Sequence, residues 1–188
     1  MAPSSRFLAK TIVQSIPERA NKRVLEVGCG TGAFTKEILK KLQDGDEFHI
    51  VELCPNFCDS VESRLLQPFR KDNPNITVEL HNAPIEDANL DGTFDAIICG
   101  LPFNNFPLEL VEHLFEVMLG FLNSGGELSY FEYLGMRGLK RTFGLPTIRR
   151  ETKQRSKDIN NRFAQCSGYQ QTVWRNIPSC RVVRLKGC

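Results

Sequence analysis

Short apolar runs alternate with segments of helical periodicity along most of this chain. Five apolar runs predict buried strands, at residues 23–28, 47–52, 76–80, 94–99 and 127–133. Apolar positions three or four residues apart predict helices between them, at residues 32–43, 55–69 and 108–122. Strands that alternate with helices indicate an α/β fold, in which a mostly parallel sheet carries helices on both faces.

The C-terminal part of the chain breaks this alternation. Residues 134–150 mix glycine, proline, apolar and basic positions without a period, and they follow the fifth predicted strand. They are either an ordinary solvated loop or a lid near the mouth of a site at the strand ends. After a predicted polar helix at residues 151–166, residues 170–175 and 181–186 predict two strands that close the sheet as an antiparallel pair.

Residues 1–20 predict an N-terminal helix, with apolar residues at helical spacing and Arg6 and Lys10 opposite them. Such a helix either packs on the sheet edge or over a ligand, or it lies on a membrane surface. Its short length and few charges favour packing. Residues 1–188 are expected to form a single domain.

Composition limits the classes of partner. The net charge of +2 over 188 residues gives no reason to expect a stable nucleic acid partner. No apolar run approaches the roughly 20 residues of a membrane span, and no signal peptide opens the chain, so a cytoplasmic protein is expected. The seven cysteines are scattered, and Cys54 and Cys58 have no second pair at ligand spacing, so no metal site is predicted. The oligomeric state stays open.

The first predicted strand runs into a glycine-rich turn, Glu26-Val27-Gly28-Cys29-Gly30-Thr31-Gly32. Glycine lets the backbone approach a ligand that a Cβ would exclude. The spacing differs from the G-x-G-x-x-G of dinucleotide sites, and the carboxylate of Glu26 suits an ammonium or sulfonium group better than a phosphate. About 20 residues after the glycines, the second strand ends in Glu52, where a ribose-binding carboxylate is expected.

This glycine turn resembles the first motif of class I S-adenosylmethionine-dependent methyltransferases, which implies a Rossmann-like sheet. The resemblance implies S-adenosylmethionine as cofactor and S-adenosylhomocysteine as product. In such enzymes the loop after the third strand holds the adenine ring, so Asn82 is expected to form a hydrogen bond with the base. The residues expected to bind the cofactor are Glu26, Gly28, Gly30, Gly32, Phe34, Glu52, Leu53, Asn82, Ala83, Pro84, Gly100 and Leu101.

After the fourth predicted strand, Gly100-Leu101-Pro102-Phe103 resembles the N-L-P-Y motif of ribosomal RNA adenine dimethyltransferases. In that family the leading Asn accepts hydrogen bonds from the exocyclic amine, and the aromatic residue stacks on the flipped base. Gly100 offers only a backbone carbonyl at this position. An RNA adenine or small-molecule N-methyltransferase is therefore the alternative reading, and a binding module without catalysis also stays open.

A wider resemblance, to the bacterial phospholipid N-methyltransferases, extends over nearly the whole chain. The pieces that carry it are the glycine motif, Gly100-Leu101-Pro102, Ser129-Tyr130-Phe131-Glu132-Tyr133 and Trp174-Arg175-Asn176-Ile177-Pro178. The resemblance implies a peripheral enzyme that converts phosphatidylethanolamine toward phosphatidylcholine on a phospholipid membrane surface, at the inner face of the cytoplasmic membrane.

The wider resemblance also implies roles for individual side chains near the predicted ends of the fourth and fifth strands. The residues expected to act on the amine are Phe103, Tyr130, Glu132 and Tyr133. The basic residues expected to hold the lipid phosphate are Arg137, Lys140 and Arg141, within the predicted lid at 134–150.

Overall fold

The computed structural model describes residues 6–133, 169–173 and 180–187. Within this part of the chain, seven strands form one sheet in the order β3-β2-β1-β4-β5-β7-β6. The strands are β1 Arg23–Val27, β2 Glu47–Val51, β3 Thr77–His81, β4 Phe94–Cys99, β5 Leu122–Tyr133, β6 Tyr169–Val173 and β7 Cys180–Lys186. The predicted loop at 134–150, the predicted helix at 151–166, and Arg137, Lys140 and Arg141 lie outside the described residues.

Five helices accompany the sheet in the described part of the chain. They are α1 Arg6–Ile12, α2 Thr35–Leu39, α3 Pro55–Val61, α4 Gln67–Asp72 and α5 Leu108–Gly120. Residues Glu62–Leu66 join α3 to α4 as a π-helical segment. Short 3-10 turns lie at Val13–Ser15, Ile85–Asp87 and Phe103–Asn105.

The strand pairing confirms the predicted α/β fold. Strands β1 to β5 pair in parallel, and β7 runs antiparallel to β5 and to β6. In register, Val27 faces Val51 on one side and Cys99 on the other, so β1, β2 and β4 end at the same level. Because loops at this edge meet in space, the segments after these strands can form one site.

Several elements differ from the sequence prediction. Helix α2 covers only Thr35–Leu39 of the predicted 32–43, and α1 ends at Ile12, short of residue 20. Strand β5 starts at Leu122, where Leu122 pairs with Phe94, and the register then shifts before Glu127 pairs with Ala96. Residues 123–126, which separate the helix predicted at 108–122 from the strand predicted at 127–133, therefore lie inside the strand as an irregularity. The helix predicted to end at residue 69 continues to Asp72, and the π-helical segment lies just before Pro68. Proline has no N–H to donate, and its ring crowds the preceding turn, so a widened turn accommodates it.

The sheet separates two apolar clusters. One cluster joins α1, α2 and the α3 region to one face, and the other joins α5 to the opposite face. Helix α1 packs on the sheet through Leu8, Ala9 and Ile12, while Phe7 is 48% exposed. The Arg184 Nη2 donates to the Thr11 carbonyl at 2.6 Å, which attaches this helix to β7. None of the described helices is long and apolar enough to cross a bilayer.

A buried ion pair holds the amino ends of β1 and β2. The Lys22 ammonium donates to Asp46, and both side chains are fully buried. Asp46 also accepts the backbone N–H groups of Lys22 at 3.0 Å and Gln43 at 2.7 Å. Removing one partner of such a pair leaves the other charge buried without compensation, which is far more costly than losing an exposed pair.

Replacing Asp46 with Ala is expected to lower the free energy of unfolding by about 3–5 kcal/mol, because the Lys22 ammonium loses its counter-charge. Urea unfolding measures the change. Asp44→Ala is the matched control, since Asp44 is exposed and accepts only an exposed hydrogen bond from Asn75; its effect should stay within about 0.5 kcal/mol. Equal losses for the two variants would contradict the assignment.

Candidate functional site

The glycine turn after β1 has a backbone conformation that residues with a side chain rarely adopt. Gly28, Gly30 and Gly32 have φ angles of +78°, +51° and +82°. Of these three glycines, only Gly30 has no described atom within 4 Å of the position that a Cβ would take. A Cβ on Gly32 would stand 2.7 Å from the Leu65 side chain. Gly30 therefore presents its backbone to open space, and Gly32 closes the turn against the helix segment that contains Leu65.

The carboxylate of Glu52 ties the turn after β1 to the turn after β2. Its Oε2 accepts the N–H of Gly30 at 2.8 Å, and its Oε1 accepts the N–H of Cys54 at 2.9 Å. Hydrogen bonds to an ionised acceptor are about twice as strong as neutral ones. Since a carboxylate has about four lone-pair sites, Glu52 can accept a further hydrogen bond from a ligand.

Glu26 is buried behind this turn. The Thr35 hydroxyl donates to its Oε2 at 2.7 Å, while its Oε1 has no hydrogen-bond partner among the described residues. Burial raises the pKa of Glu26 to about 8, and the hydrogen bond from Thr35 opposes this rise only in part. A buried acceptor without a partner costs about 1–3 kcal/mol, which a ligand with a suitable donor would recover. Thr35, nine positions after Glu26, was not among the predicted site residues.

The segment after β3 supports the end of β2. The Nδ2 of Asn82 donates to the carbonyls of Glu52 at 2.9 Å and Leu53 at 3.1 Å. The Leu53 side chain is 68% exposed, unusually open for a large apolar residue. Ala83 packs at the edge of the second apolar cluster, and Pro84 is exposed. The amide of Asn82 thus positions the turn, and its contact with a base remains a prediction.

Gly100, directly after β4, lies against the glycine turn. Its N–H donates to the Val27 carbonyl at 2.8 Å. A Cβ at this position would stand 2.3 Å from the carbonyl oxygen of Gly28, a distance that real Cβ atoms essentially never show. Gly100 is therefore required by close backbone packing, and an asparagine side chain has no room there without movement of the turn. Leu101 packs above it, against Gly28.

An aromatic group, consisting of Phe103, Phe106, Phe115 and Tyr130, lies on the α5 face of the sheet. Phe103 and Phe106 follow β4, whereas Phe115 lies on α5 and Tyr130 on β5. The Phe103 ring centroid lies 4.9 Å from that of Phe115, 5.9 Å from Tyr130 and 6.4 Å from Phe106. Tyr130 is buried, while Phe103 and Phe106 are half-buried. Phe115 was not among the predicted site residues, although it occupies the apolar stripe of α5, four residues after Val111.

The remaining predicted residues have different surroundings. Phe34 is 4% exposed and packs edge-on against Phe131 with centroids 5.8 Å apart, which places it in the apolar core. Glu132 is half-buried and lies opposite Arg181 in the β5–β7 pair. The backbone of Tyr133 pairs with Cys180 at the end of β5.

Comparison with known proteins agrees with this geometry. Residues 24–126 match the family described as "Methyltransferase domain". An ornithine lipid N-methyltransferase from Singulisphaera acidiphila is 31% identical over 131 residues, which cover 67% of this chain and 65% of that protein. A malonyl-[acyl-carrier protein] O-methyltransferase from Ilyobacter polytropus is 24% identical over 138 residues, covering 72% and 47%. The match spans less than two thirds of either relative's length.

Solved structures share the fold at low sequence identity. The O-methyltransferase TomG from Streptomyces achromogenes, solved in complex with S-adenosylmethionine, has a TM-score of 0.65 at 13% identity, over 97% of this chain and 79% of that one. A methyltransferase from Aquifex aeolicus has a TM-score of 0.61 at 16% identity, over 96% and 89%. At these identities the likeness confirms the Rossmann-like arrangement of the sheet.

Replacing Gly100 with Ala is expected to lower the free energy of unfolding by about 1–3 kcal/mol, because the new methyl group overlaps the Gly28 carbonyl. Gly120→Ala is the matched control, since its Cβ position has no described atom within 4 Å apart from its chain neighbours and its own helix backbone. Urea unfolding of the two variants measures the difference. A Gly100→Ala protein as stable as the control would show that the turn can move without cost.

The raised pKa of Glu26 gives stability a defined pH dependence. In the folded protein Glu26 keeps its proton up to about pH 8, while the unfolded chain loses it near the ordinary value of 4.5. Between these pH values the folded state holds more protons than the unfolded state. The contribution of Glu26 to the free energy of unfolding therefore falls as pH rises, by up to about 1.4 kcal/mol per pH unit. The contribution is fully present only below about pH 4.5.

We expect Glu26→Gln to remove this slope. The free energy of unfolding should be measured by urea at pH 5.5, 6.5 and 7.5 for the wild type and the variant, so that other titrating groups cancel in the difference. Glu109→Gln, at an exposed position of α5, should keep the wild-type slope. A constant difference between wild type and Glu26→Gln across the three pH values would refute the buried, protonated state.

Proposed function

This chain belongs to the methyltransferase domain family, and from that premise we propose that it is an S-adenosylmethionine-dependent N-methyltransferase acting on a lipid head-group amine. The observation that carries the proposal is the aromatic group, because Phe103 belongs to the same segment after β4 as Gly100 and Leu101, which lie against Gly28 of the glycine turn. The ornithine lipid N-methyltransferase that this chain resembles supports a lipid amine as substrate.

The residues of the glycine turn fit the cofactor. The buried carboxyl of Glu26 would accept an ammonium group by giving up its proton, because a neighbouring positive charge lowers the pKa that burial raises. The open space at Gly30 admits a ligand against the backbone. Glu52 retains acceptor positions for ribose hydroxyls, and the exposed side chain of Leu53 offers an apolar surface for a base. When bound, S-adenosylmethionine supplies an electrophilic methyl group, and the aromatic group then decides which nucleophile is presented to it.

A lipid amine must lose a proton before it can act as a nucleophile. In water its pKa lies near that of lysine, about 10.4. The rings of Phe103, Phe106 and Tyr130 exclude water from the amine and so lower its pKa. Aromatic faces also attract the ammonium groups that partial methylation leaves behind. Glu132 is on the same strand face as Tyr130, and we assign it, or Tyr133, the role of taking the proton or holding the cation.

The proposal also names the lipid whose head-group amine is methylated. We favour phosphatidylethanolamine, whose conversion proceeds toward phosphatidylcholine, with Arg137, Lys140 and Arg141 holding its phosphate at the membrane surface. The shared chemistry is a primary amine on a lipid head group, which an ornithine lipid also carries. The close packing of Gly100 argues against the RNA adenine alternative, because the asparagine that would recognise the exocyclic amine has no room.

The test uses labelled S-adenosylmethionine with phosphatidylglycerol vesicles that contain phosphatidylethanolamine, an ornithine lipid, or phosphatidylcholine as the control without a primary amine. Methyl transfer to phosphatidylethanolamine is expected, and none to phosphatidylcholine. Transfer to the ornithine lipid alone would redirect the proposal to that head group. Label that appears only in added RNA or in small molecules from a cell extract would overturn it.

Phe103→Leu should lower kcat/KM for the lipid about 2- to 30-fold, because the variant keeps an apolar side chain but loses the aromatic face that attracts the ammonium. Its affinity for S-adenosylhomocysteine, measured by calorimetry, should be unchanged. Phe121→Leu is the matched control, since Phe121 is half-buried in the same apolar cluster but contacts Phe94 instead of the aromatic group. Equal effects of the two variants on turnover would exclude a specific role for Phe103.

A further inference from the structure

Strands β2 and β3 bring together three side chains that the proposed methyl transfer does not use. His49 lies on β2, and Glu79 and His81 lie on the neighbouring edge strand β3. His49 is 8% exposed, His81 is half-buried and Glu79 is exposed. Their ligand atoms lie within 4.8 Å of one another, so the three side chains face a common point at the surface.

The separations of these atoms match a metal-ion site. The His49 Nδ1 lies 3.2 Å from the His81 Nε2, and the Glu79 Oε2 lies 3.7 Å from each of these nitrogens. A point equidistant from the three atoms is about 2.1 Å from each, and zinc binds imidazole nitrogen and carboxylate oxygen at about 2.0–2.2 Å. The three ligand atoms therefore need almost no rearrangement to hold an ion.

The surroundings of His49 supply a second, independent observation. Its Nε2 is buried and has no hydrogen-bond partner within the described part of the chain, yet it lies 3.7 Å from the Glu47 carboxylate. Glu47 is itself held by the Arg23 Nε at 2.7 Å. A histidine that binds a metal through one nitrogen commonly directs its other N–H to a carboxylate, which orients the ring. The Phe94 ring packs edge-on against the inner side of His49, at 5.5 Å.

We propose that His49, Glu79 and His81 form a binding site for a divalent transition-metal ion of the zinc type. Two imidazoles and one carboxylate are ligands that zinc prefers, and three protein ligands leave a coordination position open to solvent. The exposed Glu79 lies on the path by which an ion would enter. In the absence of metal, the 3.2 Å contact between the two imidazoles is a hydrogen bond, which metal binding replaces.

The site would brace the edge of the sheet next to the proposed cofactor pocket. The His81 carbonyl accepts the N–H of Glu52 at 3.0 Å, and the next residue, Asn82, holds the Glu52 carbonyl. A metal that joins β2 to β3 thus restrains the segment from which Glu52 reaches Gly30. The role we assign to the ion is structural, since the proposed methyl transfer does not require it.

Calorimetric titration of Zn²⁺ into the chelator-treated protein tests the proposal. We expect one ion per chain and a higher unfolding temperature with Zn²⁺, because a ligand that binds only the folded state stabilises it. His81→Gln and Glu79→Gln should each weaken binding at least about tenfold, the lower bound for losing even an outer partner of a metal ligand. Glu79→Gln is the variant least able to disturb folding, because its side chain is 53% exposed.

His113→Gln is the matched control. His113 is the third histidine of the chain, and it pairs with Glu86 at 2.9 Å, away from β2 and β3. The Zn²⁺ affinity of the His113→Gln protein should equal that of the wild type. A wild-type protein that binds no Zn²⁺ would overturn the proposal, and so would equal affinities in all four proteins, because the ion would then be held by other residues such as cysteines.

Discussion

The candidate site depends on the carboxylate of Glu52, which connects two turns that are far apart in sequence. One oxygen accepts the N–H of Gly30 and the other the N–H of Cys54. Asn82 then fixes the backbone of Glu52 from the end of β3. At the end of β4, the N–H of Gly100 donates a hydrogen bond to the Val27 carbonyl. The segments after four parallel strands are therefore connected around the glycine turn.

The two halves of this site are built from different interactions. The half around the glycine turn consists of hydrogen bonds and a backbone with positive φ, which suit a ligand of one shape and charge pattern. The half on the α5 face of the sheet consists of packed aromatic rings, which exclude water and attract cations without strict geometry. Under the proposed function, the first half would hold the cofactor and the second half the substrate amine.

The predicted fold was largely confirmed because its signals are local. The five parallel strands, the C-terminal antiparallel pair and α5 all follow from apolar periodicity within short windows. Errors arose where a local rule met tertiary packing, as at Pro68, where the helix widens and continues to Asp72. The irregular start of β5 depends on pairing with Phe94, which lies 28 residues earlier and has no local signature.

Less of the site than of the fold could be predicted from the sequence. Glu26, Glu52 and the three glycines could be named because a known motif contains them, but their contacts could not. The requirement for glycine at position 100 appears only when β4 lies beside β1, where the Gly28 carbonyl occupies the space of a Cβ. Likewise, His49 and His81 are 32 positions apart, and only the parallel register of β2 and β3 makes them neighbours.

The sequence by itself determined the order of strands and helices, the glycine turn and the class of ligand that its flanking carboxylate suits. Periodicities of 2 and 3.6 residues and the conformational freedom of glycine act within a few residues, so they can be seen in the chain as written. The tertiary structure decided which carboxylate oxygen meets which N–H, which glycine is sterically required, and which histidines share a surface. These contacts depend on strand register and packing between distant segments.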